Sequence, residues 1–182
     1  MKRGEDSLAG ERVLLAFRRH RQLQSPPATH LVHSSLGRSQ LVGRKVFISY
    51  CHRQGEWVWE CLVPVLEAGG AEVLIDRKRF EAGKAVIGQM DSAQDEADLH
   101  VLVLSEDYLN SKYCQHEMKR AVDADPTFAR GSVVPVMRRP CKLPTLLAKH
   151  EPVWVDLRNG SSAEQWDLLL GACDADLGAA AP

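Results

Sequence analysis

The residues with the clearest chemical potential lie in one short run, Tyr113-Cys114-Gln115-His116-Glu117. The apolar spacing around this run predicts a helix, and four residues mark its buried face: Cys114, Met118, Ala121 and Val122. Glu117 falls at the edge of that face, where partial burial would remove water from its carboxylate and make it a candidate for chemistry. An ion-paired surface glutamate fits the same position, so the helix alone does not assign a role.

The loop 76–84 is the second candidate, because it crowds basic and aromatic residues into nine positions (Asp-Arg-Lys-Arg-Phe-Glu-Ala-Gly-Lys). Phe80 is an apolar residue in a strongly charged setting. Such a loop suits a phosphate-bearing ligand or a protein partner. An ordinary solvated surface loop remains the alternative interpretation.

Familiar nucleotide, phosphate and hydrolase motifs are absent. The turn at Cys51-His52-Arg53-Gln54-Gly55 lacks the glycines of a dinucleotide-binding loop, and Gly83-Lys84 lacks the upstream glycine and the downstream hydroxyl of a P-loop. The first strand ends in Ser49-Tyr50 rather than in the acid pair of a magnesium-binding phosphoacceptor domain. No Gly-x-Ser-x-Gly nucleophile elbow occurs.

The five cysteines predict neither disulfides nor a structural zinc, since their number is odd, their spacing is wide and no Cys-x-x-Cys pair occurs. A reducing cytoplasm is the expected setting, and no metal site is predicted. Cys114 and His116 are two residues apart on a helix and therefore point in different directions. We expect Cys114 in the core and His116 on the surface.

Composition limits the classes of partner. The chain has 182 residues and a formal net charge of −1, so it lacks the basic excess of a nucleic-acid-binding protein. No stretch approaches the roughly 20 apolar residues of a membrane span. We therefore expect a cytoplasmic protein that does not bind nucleic acid directly.

Short apolar runs alternate with amphipathic patterns from residue 45 onward. The runs 46–50, 72–75, 99–104, 133–137 and 153–157 are predicted strands, and Pro64 is expected to kink or open one turn of the first helix. This alternation predicts an α/β fold, a five-stranded parallel sheet with helices on both faces. Open sheets of this kind bind ligands at the carboxyl ends of their strands.

The predicted domain organisation has three parts. Residues 1–44 are an Arg-rich arm or linker, whose helix candidate at 11–24 ends before Pro26-Pro27. Residues 45–175 form the α/β domain. Residues 176–182 are expected to be a frayed tail.

Four stretches, in this order, resemble a Toll/interleukin-1 receptor (TIR) domain of the prokaryotic, NAD-cleaving type. They are Val46-Phe47-Ile48-Ser49-Tyr50; Ile75-Asp76 with Glu81-Ala82-Gly83-Lys84; Val101-Leu102-Val103-Leu104-Ser105 with Tyr108-Leu109; and Tyr113-Cys114-x-x-Glu117. The resemblance implies a flavodoxin-like five-stranded sheet and self-association through the loop from Asp76 to Lys84. The loop also resembles that of the animal axon-degeneration NADase.

The resemblance further implies that Glu117 is the essential carboxylate of an enzyme that cleaves NAD⁺. Tyr113 replaces the tryptophan usual in that motif, and Ala85 stands where the axon NADase has an aromatic residue that stacks near the substrate. Six residues are then expected to contact the substrate: Tyr50, Arg53, Asp76, Phe80, Lys84 and Tyr113. NAD⁺ is the substrate, so no further cofactor is expected.

One carboxylate is enough for this chemistry, since nicotinamide in NAD⁺ is a cationic leaving group that needs no general acid. Water attack gives ADP-ribose, and attack by the adenine gives a cyclic isomer. Two hypotheses follow. The first is an NAD⁺ glycohydrolase or ADP-ribosyl cyclase of bacterial antiphage immunity, active when assembled and coupled to a sensor or effector protein. The second is a non-catalytic adaptor or effector that works by TIR–TIR binding.

Overall fold

The computed structural model describes residues 43–75, 86–158 and 162–173, with the backbone alone described for 86–90. The predicted arm helix at 11–24, the loop 76–84 and the tail 176–182 lie outside this part of the chain. The strands are β1 (Lys45–Ser49), β2 (Glu72–Leu74), β3 (Leu99–Leu104), β4 (Val133–Met137) and β5 (Val155–Asp156). All of their pairings are parallel, and their order in the sheet is β2-β1-β3-β4-β5.

Six helical elements, α1 to α6, accompany the strands in the described residues. Helix α1 is built from Gly55–Trp57, Val58–Leu62 and Val63–Ala68, and a short 3₁₀ turn, His52–Gln54, precedes it. The others are α2 (Val86–Asp95), α3 (Glu106–Asn110), α4 (Lys112–Ala124), α5 (Thr145–Ala148) and α6 (Ala163–Cys173). The predicted α/β fold with a five-stranded parallel sheet is therefore confirmed.

Strand β3 lies at the centre of the sheet because its whole length is apolar enough to be covered on both faces. All six of its residues are buried, and it pairs with β1 on one side and β4 on the other. Strand β5 is shorter than the predicted run 153–157. It pairs only with β4, and Val153 and Trp154 are 76% and 37% exposed, so the apolar run continues beyond the edge of the core.

Alternation along the strands sends side chains to two separate cores. Val46, Ile48 and Tyr50 belong to the core under α1 and α6, together with Leu99 from β3. Leu102 and Leu104 point the other way, into a core that contains the apolar face of α4. The residue after Ile48, Ser49, therefore faces the α4 side of the sheet.

The effect expected of Pro64 appears as a π-helical turn rather than a break in α1. Val58–Leu62 forms that turn, and the Val63 N–H donates to the carbonyl of Val58, five residues back. Pro64 follows near the start of the next α-helical stretch. Because proline has no N–H and its ring crowds the preceding turn, a wider turn accommodates it while the helix continues.

Two serines cap the helices that lead to Glu117. The Ser105 Oγ accepts the N–H of Tyr108 at 3.1 Å and starts α3. The Ser111 Oγ accepts the N–H of Cys114 at 3.4 Å and starts α4. These caps hold α3 and α4 beside the carboxyl end of β3.

Candidate functional site

Glu117 is more deeply buried than its place at the edge of the helical stripe suggests. It is 5% exposed. The reason is tertiary: α2 packs against α4, and the Gln94 side-chain Nε2 donates to the backbone carbonyl of Glu117 at 2.7 Å. A second helix therefore covers the flank that a lone amphipathic helix would leave to solvent.

The carboxylate of Glu117 is held by a chain of two hydroxyls. The Ser49 Oγ donates to Glu117 Oε2 at 2.5 Å. The Tyr108 hydroxyl lies 2.8 Å from the same Ser49 Oγ. Ser49 ends β1 and Tyr108 lies just beyond β3, so the chain joins three elements at the carboxyl edge of the sheet.

This edge lies at the switch point of the fold. The sheet order reverses direction between β1 and β3, and crevices at such points are where open α/β sheets bind ligands. Ser49 and Leu102 are register partners there. Glu117 is therefore a buried acid at the position where this fold type hosts its chemistry.

The groups around Glu117 are held in their neutral forms. Burial raises the pKa of the Tyr108 phenol well above its usual value, although the hydrogen bond with Ser49 acts in the opposite direction. Burial also raises the pKa of the Cys114 thiol to about 12, and the nearby Glu117 charge adds to this. Cys114 is thus a protonated core thiol rather than a nucleophile, as its helical position predicts.

Ion pairs fasten α2 to α4 on the outer side of the site. The Asp91 carboxylate lies 3.1 Å from His116 Nε2 and 3.2 Å from Arg120 Nε. Arg120 also contacts Asp95 at 2.5 Å. His116 is therefore a partly exposed surface residue, as predicted, and belongs to a contact that fixes the helix carrying Glu117.

The predicted substrate-binding residues do not all come together. Tyr50 is 7% exposed and lies in the core on the opposite face from Glu117, where its hydroxyl accepts from Trp59 Nε1 at 3.2 Å. Because consecutive strand residues alternate in direction, Tyr50 and Glu117 lie on opposite sides of the sheet, and substrate contact by Tyr50 stays a prediction.

Two other predicted residues, Arg53 and Tyr113, lie at the surface. The Arg53 guanidinium is exposed and pairs with Asp107 at 2.8 Å, next to Tyr108 in sequence. Tyr113 lies one helical turn before Glu117 and is 56% exposed, so its ring is outside the buried cluster. Asp76, Phe80 and Lys84 lie outside the described residues.

Sequence reasoning missed three polar residues of the cluster, namely Ser49, Tyr108 and Gln94. All three are at most 3% exposed. A signal for Ser49 was present, since it is a hydroxyl in a strand that is otherwise apolar and faces the side opposite to Tyr50. Nothing in the sequence pattern pointed to the contact between Gln94 and Glu117.

Within the described ranges, no three His, Cys, Asp or Glu side chains are grouped so that they could share a metal ion. The five cysteines are all free thiols. In the same part of the chain, no helix has the length and apolar character needed to cross a membrane.

The topology and the site define the class of protein: a flavodoxin-like α/β domain with a buried carboxylate at the switch point of its sheet. The family model of the TIR domain matches residues 46–170 of this chain. The chain belongs to the TIR domain family.

Similar proteins come from animals and plants. The chain is 28% identical over 72 residues to Toll-like receptor 6 of Homo sapiens and 29% identical over 75 residues to TMV resistance protein N of Nicotiana glutinosa. These alignments cover 40% and 41% of this chain but only 9% and 6% of those proteins. The chain therefore spans about a tenth or less of the length of these curated relatives.

A solved structure supports the fold independently. The TIR domain of the Toll-related receptor TRR-2 from Hydra magnipapillata aligns with a TM-score of 0.55 and 21% identity. The alignment covers 63% of this chain and 84% of the Hydra domain. At this level of identity the likeness concerns the fold alone.

Proposed function

We propose that this chain is an NAD⁺ glycohydrolase in which Glu117 is the catalytic carboxylate. The observation that carries the proposal is the burial of this acid at the switch point, with a hydroxyl donating to its Oε2. A carboxylate in a water-poor setting interacts more strongly with a developing positive charge than one in solvent. Cys114, the thiol on the same helix, is held protonated by burial and does not compete for this role.

The proposed reaction breaks the bond between C1′ of the ribose and the pyridinium nitrogen of nicotinamide. The bonding electron pair moves to the ring nitrogen, so nicotinamide leaves as a neutral molecule and positive charge develops at C1′. Glu117 stabilises that charge and holds the ribose. Water then attacks C1′ and loses a proton to solvent, which gives ADP-ribose; attack by an adenine nitrogen gives the cyclic isomer instead.

The wider setting belongs to the same proposal. We propose that the loop 76–84 mediates self-association between copies of the chain, and that assembly completes the substrate site with residues of that loop, among them Phe80 and Lys84. A role in bacterial antiphage immunity, in the cytoplasm and together with a sensor or effector protein, follows from the resemblance described above. Similarity to Toll-like receptors and to a plant resistance protein supports an immune role in general terms.

Measurement of nicotinamide release from NAD⁺ by the purified chain tests this proposal over a wide range of protein concentrations. Glu117→Gln keeps the shape of the side chain and removes the charge, so we expect kcat to fall by roughly 100-fold or more. Asp123→Asn is the matched control, because Asp123 is an exposed acid of the same helix that pairs with Lys119. It is expected to retain kcat within about twofold.

Two results would contradict the proposal in different ways. If the wild-type chain releases no nicotinamide at any concentration, including crowded conditions, the proposed glycohydrolase activity is refuted. Undiminished release by Glu117→Gln, with Asp123→Asn also active, would keep the enzyme but remove Glu117 from its site.

A non-catalytic binding module is the second candidate, and one observation favours it. Glu117 joins α4 to two neighbouring elements, through its side chain to Ser49 of β1 and through its carbonyl to Gln94 of α2, as in a structural clamp. This candidate predicts self-association without turnover. Sedimentation of the wild-type chain and of Phe80→Ala, beside the nicotinamide assay, separates the two functions.

A further inference from the structure

We propose that Ser49 and Tyr108 are positioning residues for Glu117, forming a directed hydrogen-bond chain that holds its Oε2 as an acceptor and stabilises the ionised form of the carboxylate. The proposal rests on the proposed function for the use made of that charge. The hydrogen-bond chain itself is a property of the fold and does not depend on the proposed function.

The direction of the chain follows from counting protons. Ser49 has one hydroxyl proton, and it lies close to two oxygens, Glu117 Oε2 and the Tyr108 hydroxyl. The Ser49 Oγ is the one hydrogen-bond partner of the Tyr108 hydroxyl among the described residues. The Tyr108 proton must therefore go to Ser49 Oγ, which leaves the Ser49 proton for Glu117 Oε2.

The opposite arrangement leaves a buried donor without an acceptor. If Oε2 carried a proton and donated it to Ser49, then Ser49 would donate to Tyr108, and the Tyr108 proton would point at no acceptor. Tyr108 is 0% exposed, so water does not replace the missing acceptor. An unpaired buried hydroxyl is costly, and the three groups are satisfied together only when Oε2 is an acceptor.

The distances place all three side chains in one connected hydrogen-bond chain. Ser49 Oγ lies 2.5 Å from Glu117 Oε2 and 2.8 Å from the Tyr108 hydroxyl, so both oxygens are within hydrogen-bond distance of the one serine hydroxyl. All three side chains are at most 5% exposed. The chain is therefore shielded from exchange with solvent.

Other polar and titratable groups lie on the helices around Glu117. Gln94 from α2 is a neutral amide. Among the described residues, Tyr108 from α3 and Cys114 from α4 interact electrostatically with Glu117, and Asp91, His116 and Arg120 form the outer contact of α2 with α4. Tyr108 and Cys114 are neutral, and the outer three are paired with one another. The hydroxyl chain is a direct contact through which the Glu117 charge is stabilised.

Titration of the Glu117 carboxyl by carbon-13 NMR is the primary test, because it does not depend on turnover. Ser49→Ala removes the donor to Oε2, so the midpoint of the titration is expected to rise by about one to two pH units. Tyr108→Phe keeps the ring and the Ser49 donor but removes the polarising hydroxyl, so a smaller rise of up to about one unit is expected.

Ser132→Ala is the matched control. Ser132 is also a buried serine whose Oγ donates to a buried carboxylate, Asp125 Oδ2 at 3.1 Å, but it precedes β4 at the opposite edge of the sheet. It is expected to lower stability to a similar extent and to leave the Glu117 titration in place. An equal rise in all three variants would overturn the proposal, since it would mark a general loosening of the fold.

Kinetics then test the use of the charge. In Ser49→Ala, kcat is expected to fall by about 10- to 100-fold and in Tyr108→Phe by about 2- to 10-fold, with KM nearly unchanged and the acid limb of the pH profile displaced upward. If the titration midpoint of Glu117 is the same in Ser49→Ala as in the wild type, the hydrogen-bond chain is refuted, whether or not the wild type is active. If Ser49→Ala displaces the Glu117 titration but leaves kcat unchanged, the positioning role is refuted. If the wild type is inactive and Ser49→Ala still displaces the titration, the proposed function is refuted but the hydrogen-bond chain is supported.

Discussion

Leu102→Ala and Leu99→Ala form a pair that tests how the sheet supports the site. Both leucines lie in β3 and are 0% exposed, but they face opposite cores. Leu102 is the register partner of Ser49, on the face covered by α4. Leu99 is the register partner of Val46, on the face covered by α1 and α6.

The expected loss of stability is similar for the two variants. Each removes carbons worth about 2.4 kcal/mol at roughly 0.8 kcal/mol per buried methylene. A cavity that stays open raises the total to roughly 3–5 kcal/mol. For a domain of this size, that loss lowers the melting temperature by about 10–20 °C.

The consequences for the site are expected to differ, because only the Leu102 cavity lies in the core of α4. Hydrogen exchange of folded protein, followed by mass spectrometry, measures this difference. Exchange of α4 peptides is expected to be at least about tenfold faster in Leu102→Ala than in Leu99→Ala, which corresponds to about 1.4 kcal/mol of local opening free energy. Peptides of α6 are expected to show the reverse order.

Equal loosening of α4 in both variants would refute the reasoning. It would mean that the two faces of the sheet respond as one body and that the separation into two cores has no energetic counterpart. The comparison does not require enzymatic activity, so it stays informative if the proposed reaction is not observed.

Three further predictions concern pH and the supports of the site. Burial lowers the pKa of His100 although its ring nitrogens contact the carbonyls of Ser132 and Gln94. The unfolded state therefore takes up the proton first, and the free energy of unfolding should fall as pH drops below about 6.5. His100→Gln should weaken this pH dependence, as measured by urea titrations at pH 7 and pH 5. Burial alone would raise the pKa of Asp125, but donors from Ser132 and Arg130 outweigh it and lower the pKa, so Asp125→Asn should cost about 1–3 kcal/mol at pH 7 and less as pH falls through the acid range. Ser111→Ala removes the cap of α4 and should cost about 1 kcal/mol, with faster exchange confined to the first turn of that helix; exchange spread over the whole helix would contradict a local role.

Much of the fold followed from local pattern. The buried run of β3 and the caps at Ser105 and Ser111 each depend on residues close together in the chain, and the strand predicted at 99–104 is confirmed. Strand β5 was predicted too long, because an apolar run does not reveal where the neighbouring strand stops pairing.

The candidate site was only partly within reach of the sequence. Residue type and motif singled out Glu117, and the helical spacing placed it at the edge of the buried face of its helix. Its near-complete burial depends on α2 packing against α4, and Ser49 and Tyr108 come to it from positions 68 and 9 residues away in the chain. The same alternation that directs Ser49 toward Glu117 directs Tyr50 away from it.

By itself, the sequence determined the α/β class and the two-sided sheet, because these depend on hydrophobic period, while the TIR resemblance made Glu117 the candidate acid. Only the tertiary structure decided which polar groups surround that acid and how deeply it is buried. The physical reason is that a short contact such as the one between Ser49 Oγ and Glu117 Oε2 depends on the register of strands and the docking of helices. Neither of these is encoded by the spacing of neighbouring residues.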